Sequence, residues 1–279
     1  MRRPHCRDWT KSRRLVGQKP HGRFDAKQAS DSPVSNWLVP IAGASRRVVG
    51  ELKGLNNDGH NSDPARRGRA ETPSGFRGWP SDAVEFLTGL EADNSKKYWQ
   101  ANKDAYDSKV LAPMVALLAE LTEEFGEGHV FRPYRDLRFS PDKSPYKTNI
   151  AAMNDAGYIS LSAHTFSLGS GLHMPSSDQL ARFRSAVADD TTGPGLMSVV
   201  AAIRRKNIQI IAQEILKSAP RGYPNNHPRI DLLRYKDLLA WKEWPVGAWL
   251  GTVAPKQRII SFLRATEPLR VWLAANVHS

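Results

Sequence analysis

The sequence predicts an α+β fold in which helices pack on an antiparallel sheet, preceded by a disordered basic N-terminal segment. Three observations carry this. Residues 76–125 hold apolar positions at helical spacing, residues 129–172 switch to short β-rich runs separated by Pro, Gly, Asn and Asp, and helical spacing returns after Ser176. Helices and strands therefore come in blocks, without the alternating βαβ series of a parallel sheet.

The first 74 residues stand apart. They hold 15 Lys and Arg against 7 Asp and Glu, a net +8 of the chain's +12. They are rich in Gly, Pro, Ser, Asn and Arg, and Trp9, Val34, Trp37, Leu38, Val48, Val49 and Leu52 keep no period of 2 or 3.6. A segment that cannot bury an apolar face reads as disordered. A basic arm with nonspecific nucleic-acid affinity, a transit segment and sequence read from a misplaced start are its three explanations. Eleven of the 15 cations are Arg, as GC-rich DNA read as protein would give, and Asp25, Asp31, Glu51, Asp58 and Asp63 spoil a transit peptide. An idle tail or misplaced start is favoured over a working arm, and residues 75–279, with 25 basic against 21 acidic residues, are expected to form a single α+β domain.

Within that domain Asp82, with Glu85 three residues on, is expected to cap a helix over 82–92 whose stripe is Val84, Phe86, Leu87 and Leu90. Tyr98, Trp99, Tyr106, Val110, Met114, Leu117, Leu118, Leu121 and Phe125 recur at three and four, so a long helix follows, kinked or split at Pro113 and ended by Gly126 and Gly128. Strands are expected over 130–139, 149–155 and in the run 157–172. Ser176-Ser177-Asp178 opens a helix to about Asp189, a second runs from about Gly195 to Lys217, and a third covers 231–239 beyond the Pro-rich crossover APRGYPNNHPRI. Helical turns from Pro255 to Asn276 close the chain.

Several functional classes drop out. No stretch approaches the roughly 18 consecutive apolar residues of a spanning helix, so no membrane is expected. One cysteine, Cys6, cannot form an internal disulfide, which suits a reduced, cytoplasmic compartment. HExxH, the P-loop and paired CxxC motifs are absent, and no cofactor is implied. Ser140-Pro-Asp-Lys143 matches S-x-x-K, but Pro145 disfavours the helical turn that would join the two side chains. His164 and His173 lie nine residues apart without a carboxylate or thiol cluster, so a metal pair is not expected.

One constellation does point to chemistry. Residues 132–149, RPYRDLRFSPDKSPYKTN, carry Arg132, Arg135, Arg138, Lys143 and Lys147 against Asp136 and Asp142. On a strand over 130–139, Phe131, Leu137 and Phe139 would face the core with Arg135 interrupting them, and Arg132, Tyr134, Asp136 and Arg138 would share the other face. Two prolines stiffen the following loop, which presents Lys143, Tyr146, Lys147 and Asn149 as donors. Fixed donors of this kind suit a phosphate or carboxylate, Arg by its bidentate fork and Lys as a point charge. The competing reading is a solvated basic loop held by its own salt bridges.

The run Arg135-Asp136-x-Arg138-Phe139-Ser140-x-Asp142-Lys143-Ser144-Pro145-Tyr146-Lys147-Thr148-Asn149 resembles the signature of the bacterial and fungal family named domain of unknown function 2461. Two further stretches are similar: Phe86-Leu87-x-x-Leu90 with Asn94 through Lys103 and Tyr106, and Leu216-Lys217-x-x-Pro220-x-Gly222-Tyr223-Pro224 with His227-Pro228, Leu232-Leu233-Arg234 and Lys236. The resemblance runs from about Gly75 to Lys242, more loosely beyond, and brings no activity with it. It does draw notice to a second donor cluster: Lys217, Arg221, Tyr223, His227, Arg234 and Lys236 in the crossover, with Arg184 on the helix before it. If that crossover packed beside the 135–149 loop, the two cationic segments would need carboxylates or a bound anion between them.

The chain is therefore expected to bind a small phosphorylated or carboxylated ligand, and as an enzyme it would use His227 or Asp136 as acid or base. A nucleic-acid-binding module, with Tyr146, Tyr223 or Trp99 stacking on bases, is the alternative, and a ligand-free scaffold the third reading. The net +4 of residues 75–279 favours the small ligand, because a polyanion binder carries a broader basic face.

Overall fold

A computed structural model describes residues 75–136, 138 and 142–278. The segment 1–74, read above as disordered, lies outside the described residues, as do Leu137, Phe139, Ser140 and Pro141.

The fold is α+β, as the sequence predicts. Helix α1 (Ser81–Ala92) follows Pro80, and it buries Ala83, Phe86, Leu87 and Leu90. Asp82 does not cap it but sits in its first turn, where a carboxylate is favoured by the partial positive charge of the helix N-terminus. The long helix expected next is broken into pieces: α2 (Lys96–Ala101), capped by Ser95 accepting from the Tyr98 amide at 3.1 Å, then α3 (Lys103–Ala105), a π-turn over Tyr106–Leu111, and α4 (Ala112–Phe125). Pro113 falls in the first turn of α4, directly after the π-turn, and the helical run continues through it from Lys103 to Phe125. Gly126, at φ 80°, ends α4.

Six strands form one sheet in the order β1-β2-β3-β4-β6-β5, every pair antiparallel. They are β1 (His129–Val130), β2 (Asn149–Asn154), β3 (Gly157–Ser162), β4 (Thr165–Leu172), β5 (Gln209–Ile211) and β6 (Leu238–Pro245). Helices α5 (Ser177–Ala188), α6 (Gly193–Arg205) and α7 (Ile230–Leu233) lie between β4 and β6, and α8 (Ala254–Leu273) closes the chain. Ser176 opens α5 with a full capping box: its hydroxyl accepts from the Gln179 amide, and Gln179 accepts in return from the Ser176 amide.

Three element assignments differ from the sequence expectation. The strand over 130–139 shrinks to His129–Val130 plus one isolated bridge, Tyr134 to Tyr146, because Pro133 cannot donate to a ladder. The helix expected from Gly195 to Lys217 stops at Arg205. Asn207 takes the left-handed conformation, φ 57°, and β5 begins two residues on at Gln209, with Ile208 just before it and Ile210 within it buried at a period of two. The helix expected over 231–239 stops at Leu233, and Leu238 already begins β6.

The register divides the sheet into two unlike faces. Ile150, Ala152, Ile159, Leu161, Phe166 and Leu168 share one, and all belong to the hydrophobic core beneath the helices. Asn149, Ala151, Tyr158, Ser160, Ser167 and Trp241 share the other. They are buried too, yet Ala151, Tyr158 and Trp241 stand outside that core. Among the described residues no helix is long and apolar enough to cross a membrane.

Candidate functional site

The loop from Phe131 to Thr148 is built as an irregular extension of the β1–β2 ribbon. Phe131 donates its amide to the Ala151 carbonyl (2.8 Å), Lys147 to Pro133 (2.7 Å) and Arg135 to Pro145 (3.0 Å). Asn94 clamps the far side: its amide group donates to the Tyr146 carbonyl and accepts from the Tyr146 N–H, both at 3.0 Å. The Tyr146 ring then stacks on Trp99, with centroids 4.3 Å apart and planes 8° from parallel. Side chains alternate along an extended chain, so burying Tyr146 against Trp99 turns Lys147 and Asn149 to the polar face of the sheet.

There the Lys147 ammonium lies 5.5 Å from the centroid of the Phe131 ring. Burial, and after it the neighbouring guanidinium groups of Arg132 and Arg135, push its pKa below that of an ordinary lysine. No carboxylate among the described residues pairs with Lys147. The two acids of the loop are committed elsewhere: Asp136 holds Arg138 in a bidentate pair at 2.6 and 3.0 Å, and Asp142 pairs with Arg135 and accepts the Ser144 amide at 2.8 Å. The hydrogen bonds from Arg138 keep the Asp136 carboxyl well below the usual carboxylate range, and those from Ser144 lower Asp142. The salt-bridged reading of the loop thus describes Arg135, Asp136, Arg138 and Asp142, and Lys143 is an exposed residue of the same loop.

Asn149 donates to the Ser160 hydroxyl at 2.8 Å and is 8% exposed, so it belongs to the polar face. Tyr158, fully buried, lies between Phe131 and Trp241 with ring centroids 6.3 and 6.2 Å away. Burial pushes its phenol up to about 12, against the hydrogen bonds from Ser160 and Asn149. Tyr158, Ser160 and Ser167 were not singled out from the sequence. The signal was present, however: Ser160 stands between Ile159 and Leu161, and Ser167 between Phe166 and Leu168, a small polar residue set into the apolar run of each strand.

The second cationic cluster does not join the first. Asn149 begins β2 at the sheet end that also holds Pro245, whereas Leu238 begins β6 at the opposite end beside Leu172. β2 and β6 are each second from opposite edges, so the 131–148 loop and the 212–237 crossover leave the sheet at diagonal corners. The crossover cations mostly hold their own backbone. Arg184 donates to the Leu233 carbonyl at 3.3 Å, Arg234 to Leu216 at 2.6 Å, and Lys236 pairs with Glu214 at 2.5 Å. His227 accepts the Arg229 amide through Nδ1 at 3.0 Å, Tyr223 packs against the core, and Lys217 and Arg221 are exposed. Two residues that sequence reasoning passed over, Arg229 and Asp237, are the buried charges of this region, at 8% and 4% exposure.

Asp237 accepts the Gln213 amide at 2.8 Å. Burial nevertheless raises its pKa to about 6, against backbone hydrogen bonds that lower it. An acid whose folded pKa exceeds its unfolded value holds its proton longer in the folded state, so stability falls as pH rises from about 4 to about 6. Asp237→Asn should flatten that stretch of the pH–stability curve and gain up to about 3 kcal/mol at neutral pH. Urea denaturation of both proteins between pH 4 and 7 checks this, and parallel curves would refute it.

Among the described residues no cluster of His, Cys, Asp or Glu could hold a metal. His164 is bound instead to Glu91, at 2.9 Å.

The sequence profile of the family described as "Conserved hypothetical protein (DUF2461)" matches residues 82–272. No curated protein and no solved structure matches the chain.

Proposed function

The chain belongs to the DUF2461 family, whose description assigns no chemistry, and on that footing we propose that it binds a small phosphorylated or carboxylated ligand at Lys147. One observation carries the reading: a half-buried ammonium stands among Arg132 and Arg135 with no carboxylate of the described residues to neutralise it. Like charges brought together in a partly desolvated place raise the free energy of the empty site, and an anion among them reverses the sign of each interaction. Lys147 supplies the central point charge. Arg132 and Arg135 flank it, and the clamp of Asn94 and Trp99 on Tyr146 fixes the position of all three. Arg138 and Asp136, paired to each other in solvent, serve the loop's shape.

Two consequences are testable. Lys147→Met should weaken inorganic phosphate or acetate binding roughly 10- to 100-fold, the worth of one hydrogen bond to a charged group. Affinity should also fall as pH rises through the lowered Lys147 pKa, since the charged ammonium is the binding form. Titration calorimetry on parent and variant measures both. Unchanged affinity in the variant would remove Lys147 from the site. A steep loss of oligonucleotide affinity with salt, in place of a shallow one for the small anion, would instead support the nucleic-acid reading.

A further inference from the structure

At the edge of the sheet opposite β1 the ladder stops at β5, which pairs with β6 on one side and with no described strand on the other. The backbone amides and carbonyls on that outer side are a template for one more strand. An open groove of about 430 Å³ lies along it, lined by Ile208, Gln209, Ile210 and Ile211 and, before the strand, by Arg204 and Asn207.

Charge says what suits that groove. Helix α6 ends in Arg204 and Arg205, Lys206 follows as its C-cap, and all three side chains are exposed. The negative end of the helix dipole favours cations there, yet no carboxylate among the described residues pairs with any of the three. Glu214 and Glu243, the acids that flank the β5–β6 pairing, are engaged by Lys236 and by the Trp241 indole. An unneutralised cationic run beside an open edge attracts an acidic strand and disfavours a basic one. It therefore disfavours the chain's own segment 1–74, with its 15 Lys and Arg against 7 Asp and Glu.

We propose that β5 is a docking edge for an acidic, extended peptide of a partner protein, which adds as the next strand beside Gln209–Ile211 and sets its carboxylates against Arg204, Arg205 and Lys206. Main-chain hydrogen bonds along the edge hold the peptide whatever its sequence, and alternate side chains select it. Ile208 and Ile210 are buried, so the peptide residues that extend their row are apolar. The three residues of β5 span only about 10 Å and offer few ladder bonds, so the cations supply much of the attraction. The site is independent of Lys147, whose loop leaves the opposite edge of the sheet.

The test uses the full chain at low salt and fluorescein-labelled peptides read by anisotropy. The probe alternates valine and threonine and ends in three glutamates, because antiparallel addition brings its C-terminal end to the start of β5. One control peptide has prolines in place of the central threonines, and another ends in three lysines. The proline peptide keeps every charge, and with it any purely ionic attraction to this basic chain, but lacks amides that a strand needs. It should bind about tenfold or more weakly than the probe, the worth of one or two lost hydrogen bonds. Arg204→Glu combined with Arg205→Glu changes two exposed side chains and should preserve the fold. It should weaken the probe by about tenfold or more and make the lysine peptide the tighter ligand. Lys147→Met should change neither affinity, which separates this edge from the anion site. Equal binding of the probe and the proline peptide, or probe affinity that survives the charge reversal, overturns the proposal. Failure of the probe to bind at all overturns it too, and a dimer of the chain that the charge reversal disrupts would then assign the edge to a second copy.

Discussion

Replacing Arg229 by alanine is expected to lower the free energy of unfolding by roughly 3–5 kcal/mol, because it leaves one buried and one half-buried carbonyl without donors. Arg229 is 8% exposed. Its Nε donates to the Val187 carbonyl at 2.5 Å, and one terminal nitrogen donates to the Ala188 carbonyl at 2.6 Å and to the Asp190 carboxylate at 2.7 Å. Val187 and Ala188 are the last two residues of α5, where the final carbonyls have no intrahelical partner and the helix dipole is negative. The guanidinium thus caps a helix from a segment about 40 residues later. Gly193 makes the room: a Cβ there would lie 2.5 Å from the Arg229 Nε. Arg229→Lys, which keeps the charge without the fork, should fall between parent and alanine variant. Asp190 is almost fully exposed, so Asp190→Ala should cost less than about 1 kcal/mol. Urea denaturation of the four proteins gives the order, and equal losses for Arg229→Ala and Asp190→Ala would show that the ion pair, not the capped carbonyls, carries the effect.

Trp99→Ala should match that loss, roughly 3–5 kcal/mol for a large aromatic removed from a core, and should in addition release the anion site. Trp99 is 5% exposed, touches Phe86 and Tyr106 at centroid distances of 5.9 and 4.8 Å, and stacks on Tyr146. Without the indole, Tyr146 keeps the Asn94 clamp and the bridge to Tyr134 but loses the ring that stacks on its own. Anion affinity should therefore fall together with stability, whereas Arg229→Ala, at the diagonal corner of the sheet, should leave affinity unchanged while the protein is folded. Trp99→Phe should restore most of both. Comparing the affinity of the three folded variants tests the coupling, and a Trp99→Ala protein that binds phosphate like the parent would break it.

The helices whose apolar spacing is regular, α1, α4 and α5, were legible in the sequence, and so was the antiparallel meander of β2, β3 and β4. The errors share a cause. Val200, Ile208, Ile211 and Ile215 satisfy helical spacing on paper, but Asn207 reverses the backbone between the first two and the period changes from 3.6 to 2 without a proline or glycine to mark it. At the site, the sequence showed which residues are cationic but not which carboxylates would take them. Arg135 and Arg138 share the loop with Asp142 and Asp136, and only the folded loop decides that Lys147 is left over. Arg229 gave no local signal, since its partners are carbonyls of a helix some forty positions earlier. Ser160 and Ser167 did give one, in their alternation with Ile159, Leu161, Phe166 and Leu168, and reading both faces of a strand would have found them.

The order of strands in the sheet also sets an order in time. β2, β3 and β4 run consecutively from Asn149 to Leu172 and pair through short hairpins, so they can zip as soon as they exist. β6, the next partner of β4, is encoded from Leu238, and its pairing joins residues as far apart as Thr165 and Pro245. Closing a loop of that length is slow compared with a hairpin. During synthesis and refolding alike, β4 keeps one edge open until α5, α6 and the crossover have been laid down. That open edge, bounded by Phe166 and Leu168 on the apolar side, makes the half-built sheet the stage at which chains of this protein can pair with one another instead of with themselves.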